Sequence, residues 1–154
     1  MTNTENDSEI KLSEVRQIGV VVRDVDAAVE YFSSSFGLGP FRTVIRDRKS
    51  VIIHGRPAGY KVKLAFADLG QIQLELIEVL EGETIQTECL RERGEGLHHL
   101  GLYVEDLDAE VAKWESRGFG VLQRTMPGGP GFAYMDTARV GGVILELIQR
   151  SEST

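Results

Sequence analysis

Residues 96–108, GLHHLGLYVEDLD, repeat in altered form the stretch VRQIGVVVRDVD at residues 15–26. Setting Gln17-Ile18-Gly19 on His99-Leu100-Gly101 fixes an offset of 82 residues. At that offset Val22 meets Val104, Asp24 meets Asp106, Asp26 meets Asp108, Val29 meets Val111 and Phe32 meets Trp114. A second echo follows downstream, where GQIQLELI at 70–77 matches GGVILELI at 141–148 at an offset of 71 residues. Two echoes in the same order but with unequal spacing describe a unit written twice, with shorter loops in the second copy. Such a repeat sets the architecture before any single side chain is interpreted.

Each copy reads as one strand, one helix and roughly three further strands, an α+β fold. In the first, residues 15–22 are rich in Val and Ile, as a strand requires. Asp24 then caps a helix whose Val25, Ala28, Val29, Phe32 and Phe36 form one apolar stripe, and Gly37 stops it. Residues 41–46 and 50–55, 60–67 and 71–78 supply the strands that follow. In the second copy, 97–104 is a strand, Asp106 caps a helix with Leu107, Val111 and Trp114 inward, and 120–124, 132–136 and 142–149 are strands. The stretch MPGGPG between two of these is too rich in Gly and Pro to be regular. The expected organisation is a disordered tail at 1–12, a first module at 13–78, a linker with a short helix and a solvated charged face at 79–96, and a second module at 97–150, fused into one domain.

The bulk composition narrows the function. At 154 residues, with 42% hydrophobic and 27% charged, the chain is an ordinary globular protein with room for a core. Its net charge of −7 argues against general nucleic-acid or anionic-membrane binding. No apolar run reaches the ~20 residues of a membrane span. The polar, acidic N-terminus does not read as a signal peptide. Cys89 stands alone, so no intrachain disulfide forms, and a reducing cytoplasmic setting is expected.

Four polar residues occupy corresponding strand positions of the two copies: Gln17 and Glu75 in the first, His99 and Glu146 in the second. Because strand side chains alternate, Glu146 shares a face with Ile144 and Ile148. A carboxylate so placed is suited to burial, where an unpaired charge costs several kcal/mol or more. A divalent cation shared by two carboxylates, one imidazole and one amide oxygen satisfies all four. The alternative is that these are edge-strand polar residues with ordinary hydrogen bonds.

This arrangement resembles the vicinal-oxygen-chelate superfamily, which includes glyoxalase I, methylmalonyl-CoA epimerase, extradiol dioxygenases and bleomycin-type resistance proteins. The resemblance covers about residues 13–150. Its most specific strings, LHHLGLYVEDLDAEV and GGVILELIQ, are most similar to the methylmalonyl-CoA epimerase branch. It implies two tandem βαβββ modules forming a curled mixed sheet around a metal-binding cleft. It also implies one divalent ion (Co, Ni, Mn or Zn) on Gln17, Glu75, His99 and Glu146, a small-molecule thioester substrate and a homodimer. His98, next to a ligand on an alternating strand, is expected on the opposite face, as a packing residue or a support for the ligands.

The ligand types discriminate among members. An iron dioxygenase uses two His and one carboxylate, and Gln17 stands where the first His belongs. Resistance proteins usually lack the complete set. What remains is proton abstraction next to a carbonyl, with Glu146 as the catalytic base. The first expectation is an epimerase acting on an acyl-CoA. A glyoxalase I-like lactoylglutathione lyase, whose ligand set is also Gln, Glu, His and Glu, and a non-catalytic binding or resistance protein are the alternatives. One departure stands out: the epimerase's other catalytic Glu falls on the segment Arg56-Pro57-Ala58-Gly59, which has no carboxylate. Arg42, Arg46, Arg48, Lys49, Arg56, Lys61 and Lys63 crowd a short part of this acidic chain. Arg46, Arg48 and Lys61 are the expected contacts for CoA phosphates, with solvated strand-edge charge as the alternative. MPGGPG is either a lid on the cleft or a plain turn.

Overall fold

A computed structural model describes residues 9–151. Strand β1 (Val15–Val21) leads into helix α1 (Val25–Phe36), then strands β2 (Arg42–Ile53), β3 (Arg56–Leu69) and β4 (Ile72–Glu81). Helix α2 (Ile85–Arg93) follows. After it come β5 (Gly96–Tyr103), α3 (Leu107–Ser116), β6 (Val121–Thr125), β7 (Gly131–Met135) and β8 (Ile144–Gln149). The order strand, helix, three strands thus occurs twice, with α2 between. The two capping aspartates do the same work: Asp24 Oδ1 accepts from the Ala27 amide at 3.0 Å and Asp106 Oδ1 from the Ala109 amide at 3.1 Å. Gly37 ends α1 at φ 65°, a left-handed conformation that costs glycine little. The break expected between residues 46 and 50 is not a turn. It is a register shift between Arg48 and Val51 inside one long strand, the signature of a bulge.

All eight strands form a single sheet, in the order β1-β4-β3-β2-β6-β7-β8-β5. The expected curl goes further and closes into a barrel. β1 and β5 run antiparallel side by side, β1 is parallel to β4, and β5 is parallel to β8. Closure on the far side is a short seam, in which Val51, Ile52 and Ile53 of β2 pair with Thr125, Arg124 and Gln123 of β6.

Alternation decides which side chains enter the barrel. Ala65, Leu74 and Leu76 face outward and pack with Val25 and the apolar stripe of α1. Leu102, Ala133, Met135 and Leu147 face outward against Leu107, Val111 and Trp114 of α3. The intervening residues, Glu75 on β4, Tyr134 on β7 and Glu146 on β8 among them, are therefore turned inward. A third cluster, Val51, Ile53, Tyr60, Val62 and Ile77, fills one end of the interior.

Two expectations need correction. The linker helix is not merely a solvated element, because Thr84, Ile85 and Gln86 at its start are buried at 0, 4 and 4% exposure. The Ile85 amide donates to Gln123 Oε1 inside the barrel at 3.1 Å, so the first turn of α2 closes that end. Of the expected tail, residues 1–8 lie outside the described residues, but Ile10 packs against the core beneath α3. Among the described residues no helix is long and apolar enough to cross a membrane.

Candidate functional site

β1 and β5 place the first two candidates. Gln17 lies opposite Gly101, and Gly19 lies opposite His99. Each polar side chain therefore projects over a glycine of the other strand. A Cβ on Gly19 would sit 2.0 Å from His99 Cε1, and one on Gly101 would sit 2.9 Å from Gln17 Cβ. Glu75 and Glu146, from the strands flanking this pair, complete the group. All four are buried: Gln17 at 7%, Glu75 at 8%, His99 at 0% and Glu146 at 5% exposure. They converge on His99 Nε2, which lies 2.9 Å from Glu146 Oε2, 3.5 Å from Glu75 Oε1 and 3.4 Å from Gln17 Oε1.

Burial pushes the Glu75 carboxyl up to about 7, against the pull of His99; Glu146 adds to the rise and Arg48 opposes it. Burial alone would depress the His99 imidazolium, but the carboxylates of Glu146 and Glu75 outweigh it and hold its pKa above the usual value. Among the described residues no three acidic, thiol or imidazole groups are splayed around a preformed metal position. The donor set nevertheless fits a divalent ion. Glu146 Oε2 is close to His99 Nε2 yet accepts no well-directed hydrogen bond, so a buried carboxylate oxygen is left without a proper donor. Ligand atoms held roughly 2.0–2.2 Å from one ion stand about 3.0–3.5 Å from one another, close to the separations found here.

Neighbours aim these groups. Gln17 Nε2 donates to Gln73 Oε1 at 3.0 Å, which turns the Gln17 amide oxygen toward the other three. Tyr134 stands directly opposite Glu146 in the β7–β8 ladder, and its ring packs edge-on against His99 at 5.0 Å. His98 is not on the opposite face as expected. A register shift on β5, where Gly19 pairs with His99 but Val20 pairs with Leu97, makes His98 the extra residue of a bulge. It is buried, and its Nδ1 lies 3.0 Å from Nδ1 of His99. Burial, and then the charge of His99, lower the His98 pKa to about 3, so it is a neutral partner. With His98 accepting from Nδ1–H of His99, Nε2 of His99 is left to face the carboxylates.

Above the four residues opens a cleft of about 690 Å³. Gln17, Glu75 and Glu146 form its floor; Arg42, Arg46, Arg48 and Arg150 are on its walls. Three of these guanidinium groups are stacked on rings: Arg42 on Phe66, Arg48 on Phe132 and Arg150 on Tyr103, at 4.9, 5.3 and 4.1 Å. Lys61 does not join them. It pairs with Asp47 in the ladder, on the opposite face of β3 from Tyr60 and Val62, because a neighbouring position on a strand points the other way. Pro130 and Gly131 of MPGGPG also line the cleft. That loop is tethered, with the Gly128 amide donating to Asp108 Oδ2 at 2.9 Å while Asp108 Oδ1 pairs with Arg124 at 2.6 Å. His54 pairs with Glu88 of α2 at 2.8 Å. Sequence reasoning missed Gln73, Tyr134, Arg150 and the burial of Thr84 and Gln86 at the start of α2, and it placed Arg42 only within the basic cluster. Gln73 and Tyr134 carry a signal, since each shares the inward face of its strand. The bulge at His98 carries none.

Comparison with known proteins agrees with this fold. Residues 16–136 match a family model described as the glyoxalase/bleomycin resistance protein/dioxygenase superfamily. The uncharacterised protein YqjC of Bacillus subtilis (strain 168) is 22% identical over 141 residues, covering 90% of this chain and 93% of that protein. Among solved structures, a variant of Streptomyces coelicolor methylmalonyl-CoA epimerase in complex with 2-nitronate-propionyl-CoA is 24% identical, with a TM-score of 0.70 over 92% of this chain and 99% of that one. Methylmalonyl-CoA epimerase from Mycobacterium tuberculosis is 21% identical, with a TM-score of 0.69 over 94% of this chain and 95% of that one. At these identities the likeness is one of fold.

Proposed function

The chain belongs to the glyoxalase/bleomycin resistance protein/dioxygenase superfamily, and from that premise we propose that it is a divalent-metal-dependent isomerase or epimerase that abstracts a proton next to a carbonyl, most simply of an acyl-CoA thioester. The observation that carries this reading is the convergence of Gln17, Glu75 and Glu146 on His99 Nε2 beneath a cleft walled by arginines.

In this reading Gln17, Glu75, His99 and Glu146 hold the ion, which is Co, Ni, Mn or Zn by the mixture of oxygen and imidazole donors. When bound, it stabilises the negative charge that grows on the carbonyl oxygen as the neighbouring carbon is deprotonated. The rest is done by side chains. Glu146 takes the proton, with Tyr134 beside it across the ladder. Gln73 keeps the oxygen of Gln17, and not its amide nitrogen, turned toward the other ligands. Arg42, Arg46 and Arg150 at the cleft wall offer planar cations to phosphates, held ready by stacking in two of the three cases. No carboxylate stands at Arg56-Pro57-Ala58-Gly59, so Glu146 carries more of the proton transfer than in a two-base enzyme.

A lactoylglutathione lyase of the glyoxalase I kind is the second reading, favoured by the identity of the four donors. Both predict exchange of a substrate proton with solvent and differ in the substrate that shows it. The test is solvent deuterium wash-in, followed by mass spectrometry, over 2-substituted acyl-CoAs and glutathione hemithioacetals with the metal-reconstituted protein. Exchange confined to the hemithioacetals selects the second reading. Exchange with neither class, from protein that binds metal, points instead to a non-catalytic binding protein.

A further inference from the structure

Beyond the floor of the cleft lies a smaller chamber of about 70 Å³. Arg48, Leu64, Glu75, Phe132 and Glu146 line both spaces, so the chamber opens at the reacting end of the cleft and Arg48 stands at its doorway. Its far end is set by α2. Gly82, at φ 94°, packs so closely on β3 that a Cβ would meet the Gly59 carbonyl oxygen at 2.8 Å. Gln86 of α2 and Tyr60 of β3 both line the chamber. By a measure on which one water needs roughly 10–15 Å³, the chamber takes about five waters, or a chain of about three to five heavy atoms.

The wall is apolar on Val62, Leu64, Ile77 and Phe132, but polar where Arg48, Tyr60 and Gln86 meet it. The hydrogen bonds around it settle the polarity of that patch. Gln123 Nε2 donates to Gln86 Oε1 at 3.4 Å, which occupies the acceptor of Gln86 and turns its NH₂ group away from Gln123. Tyr60 adds a phenolic O–H, which can donate, to the same lining. Arg48 has donors only. A polar corner of a mostly apolar pocket is costly unless it is matched, and this one presents donors.

We propose that the chamber is the subsite for the substituent on the reacting carbon, and that it selects a short chain ending in an oxygen acceptor, a carboxylate or carbonyl, over a bare alkyl group. This rests on the proton-abstraction reading of the site and narrows its substrate class. The apolar wall holds the methylenes, and Tyr60, Gln86 and Arg48 receive the terminal oxygens. The other polar residues of the chamber, Glu75, Glu146 and Tyr134, belong to the floor, where the two carboxylates repel an anion that is not drawn inward by Arg48.

The test uses CoA thioesters that differ only in the 2-substituent, namely methyl, propyl and carboxymethyl, with a 2-oxopropyl member to separate carboxylate from carbonyl. A site with unmatched polar groups rejects an analogue that lacks the matching group by as much as ~10⁴-fold, whereas apolar pockets discriminate by only ~10–200-fold. The expected result is that wash-in kcat/KM for the carboxymethyl or 2-oxopropyl thioester exceeds that for propyl by at least ~10². Gln86→Leu and Tyr60→Phe should each lower that ratio by about tenfold, one hydrogen bond to substrate. The ratio is taken within each variant, so a smaller folded fraction cancels. Equal rates, or a preference for propyl, overturn the proposal. Affinities measured by calorimetry carry the same comparison without turnover. A protein that exchanges no proton but still binds the acceptor-bearing thioesters more tightly loses the proposed reaction and keeps the subsite.

Discussion

Gly19→Ala is the most direct perturbation of the site, because it leaves all four candidate donors in place and moves one. The new methyl carbon would lie 2.0 Å from Cε1, 2.4 Å from Nδ1 and 2.5 Å from Nε2 of His99. Reaching ordinary contact at about 3.4 Å or more requires the ring to retreat by about 1.4 Å. It has nowhere to go: His99 is fully buried, with His98 at 3.0 Å on one side and Glu146 at 2.9 Å on the other. Overpacking of this kind costs about 1–3 kcal/mol. For a chain of this size that corresponds to a fall in Tm of roughly 2–12 °C in metal-free protein. Metal sites tolerate about 0.2 Å of error in ligand distance, so the displacement removes His99 from the set. Affinity for Co or Zn should fall by at least ~10², equivalent to about 2.7 kcal/mol. Gly101→Ala is the comparison on the other strand: its methyl meets Gln17 Cβ at 2.9 Å and the end of Ile148 at 3.0 Å, a milder overlap than 2.0 Å on a ring, so its effect on Gln17 and on metal affinity should be smaller. Metal titration and thermal unfolding of the two variants decide the matter. Wild-type affinity and stability in Gly19→Ala would refute the convergence on His99.

Four further outcomes are expected. Glu146→Gln keeps an oxygen ligand but loses the base, so it should bind metal while deuterium wash-in drops by at least ~10²; Glu75→Gln should be milder. Gln73→Leu frees the amide of Gln17 and should weaken metal binding about tenfold, the lower end for a partner of a ligand, with affinity recovered in Gln73→Glu, which keeps the acceptor. In metal-free protein, Glu75 titrates at about 7, above its ordinary value of 4.5, so the native state binds more protons than the unfolded chain between those limits. Its contribution to stability is present below about 4.5 and is lost as pH rises through about 7. The raised His99 has the same sign, and urea melts from pH 4.5 to 8 should show a decline that Glu75→Gln flattens and saturating metal reverses. Finally, Arg42→Glu with Arg46→Glu should raise KM for a CoA substrate and spare its pantetheine analogue; equal losses would remove the phosphate role.

How far the sequence could be read depended on how each residue is specified. The four candidate donors were legible because each is a polar residue repeated at a fixed offset within an apolar strand, and alternation then dictates a shared face. Both helix starts were legible for the same reason, in Asp24 and Asp106. His98 was not, since one extra residue in a ladder reverses the face of a side chain, and nothing in LHHLG marks where the ladder slips. Lys61 was misplaced by counting charges along the chain when the sheet sorts them by parity. The start of α2 was missed because its composition is charged; what buries Thr84, Ile85 and Gln86 is the space at the barrel end, which exists only after the strands have closed. That closure is itself non-local, resting on Val51-Ile52-Ile53 meeting Gln123-Arg124-Thr125 across roughly half the chain.

The seam where that meeting occurs has a mechanical consequence. Along β1 and β5 the halves share a spine that is paired from Val15 to Val21, while on the other side they are latched by three ladder pairs and one bond, from the His54 amide to the Leu122 carbonyl at 2.9 Å. Force applied to such an object does not distribute evenly; it opens the latch and flexes about the spine, as a book opens away from its binding. Local opening free energies follow the same inequality, so amides at 51–54 and 123–125 should exchange with solvent well before those of β1 and β5. The inner chamber is tied to the latch through Gln123, which pairs in the seam and donates to Gln86 of the chamber wall. A chain too long for the chamber would therefore meet its resistance in the latch and not in the spine.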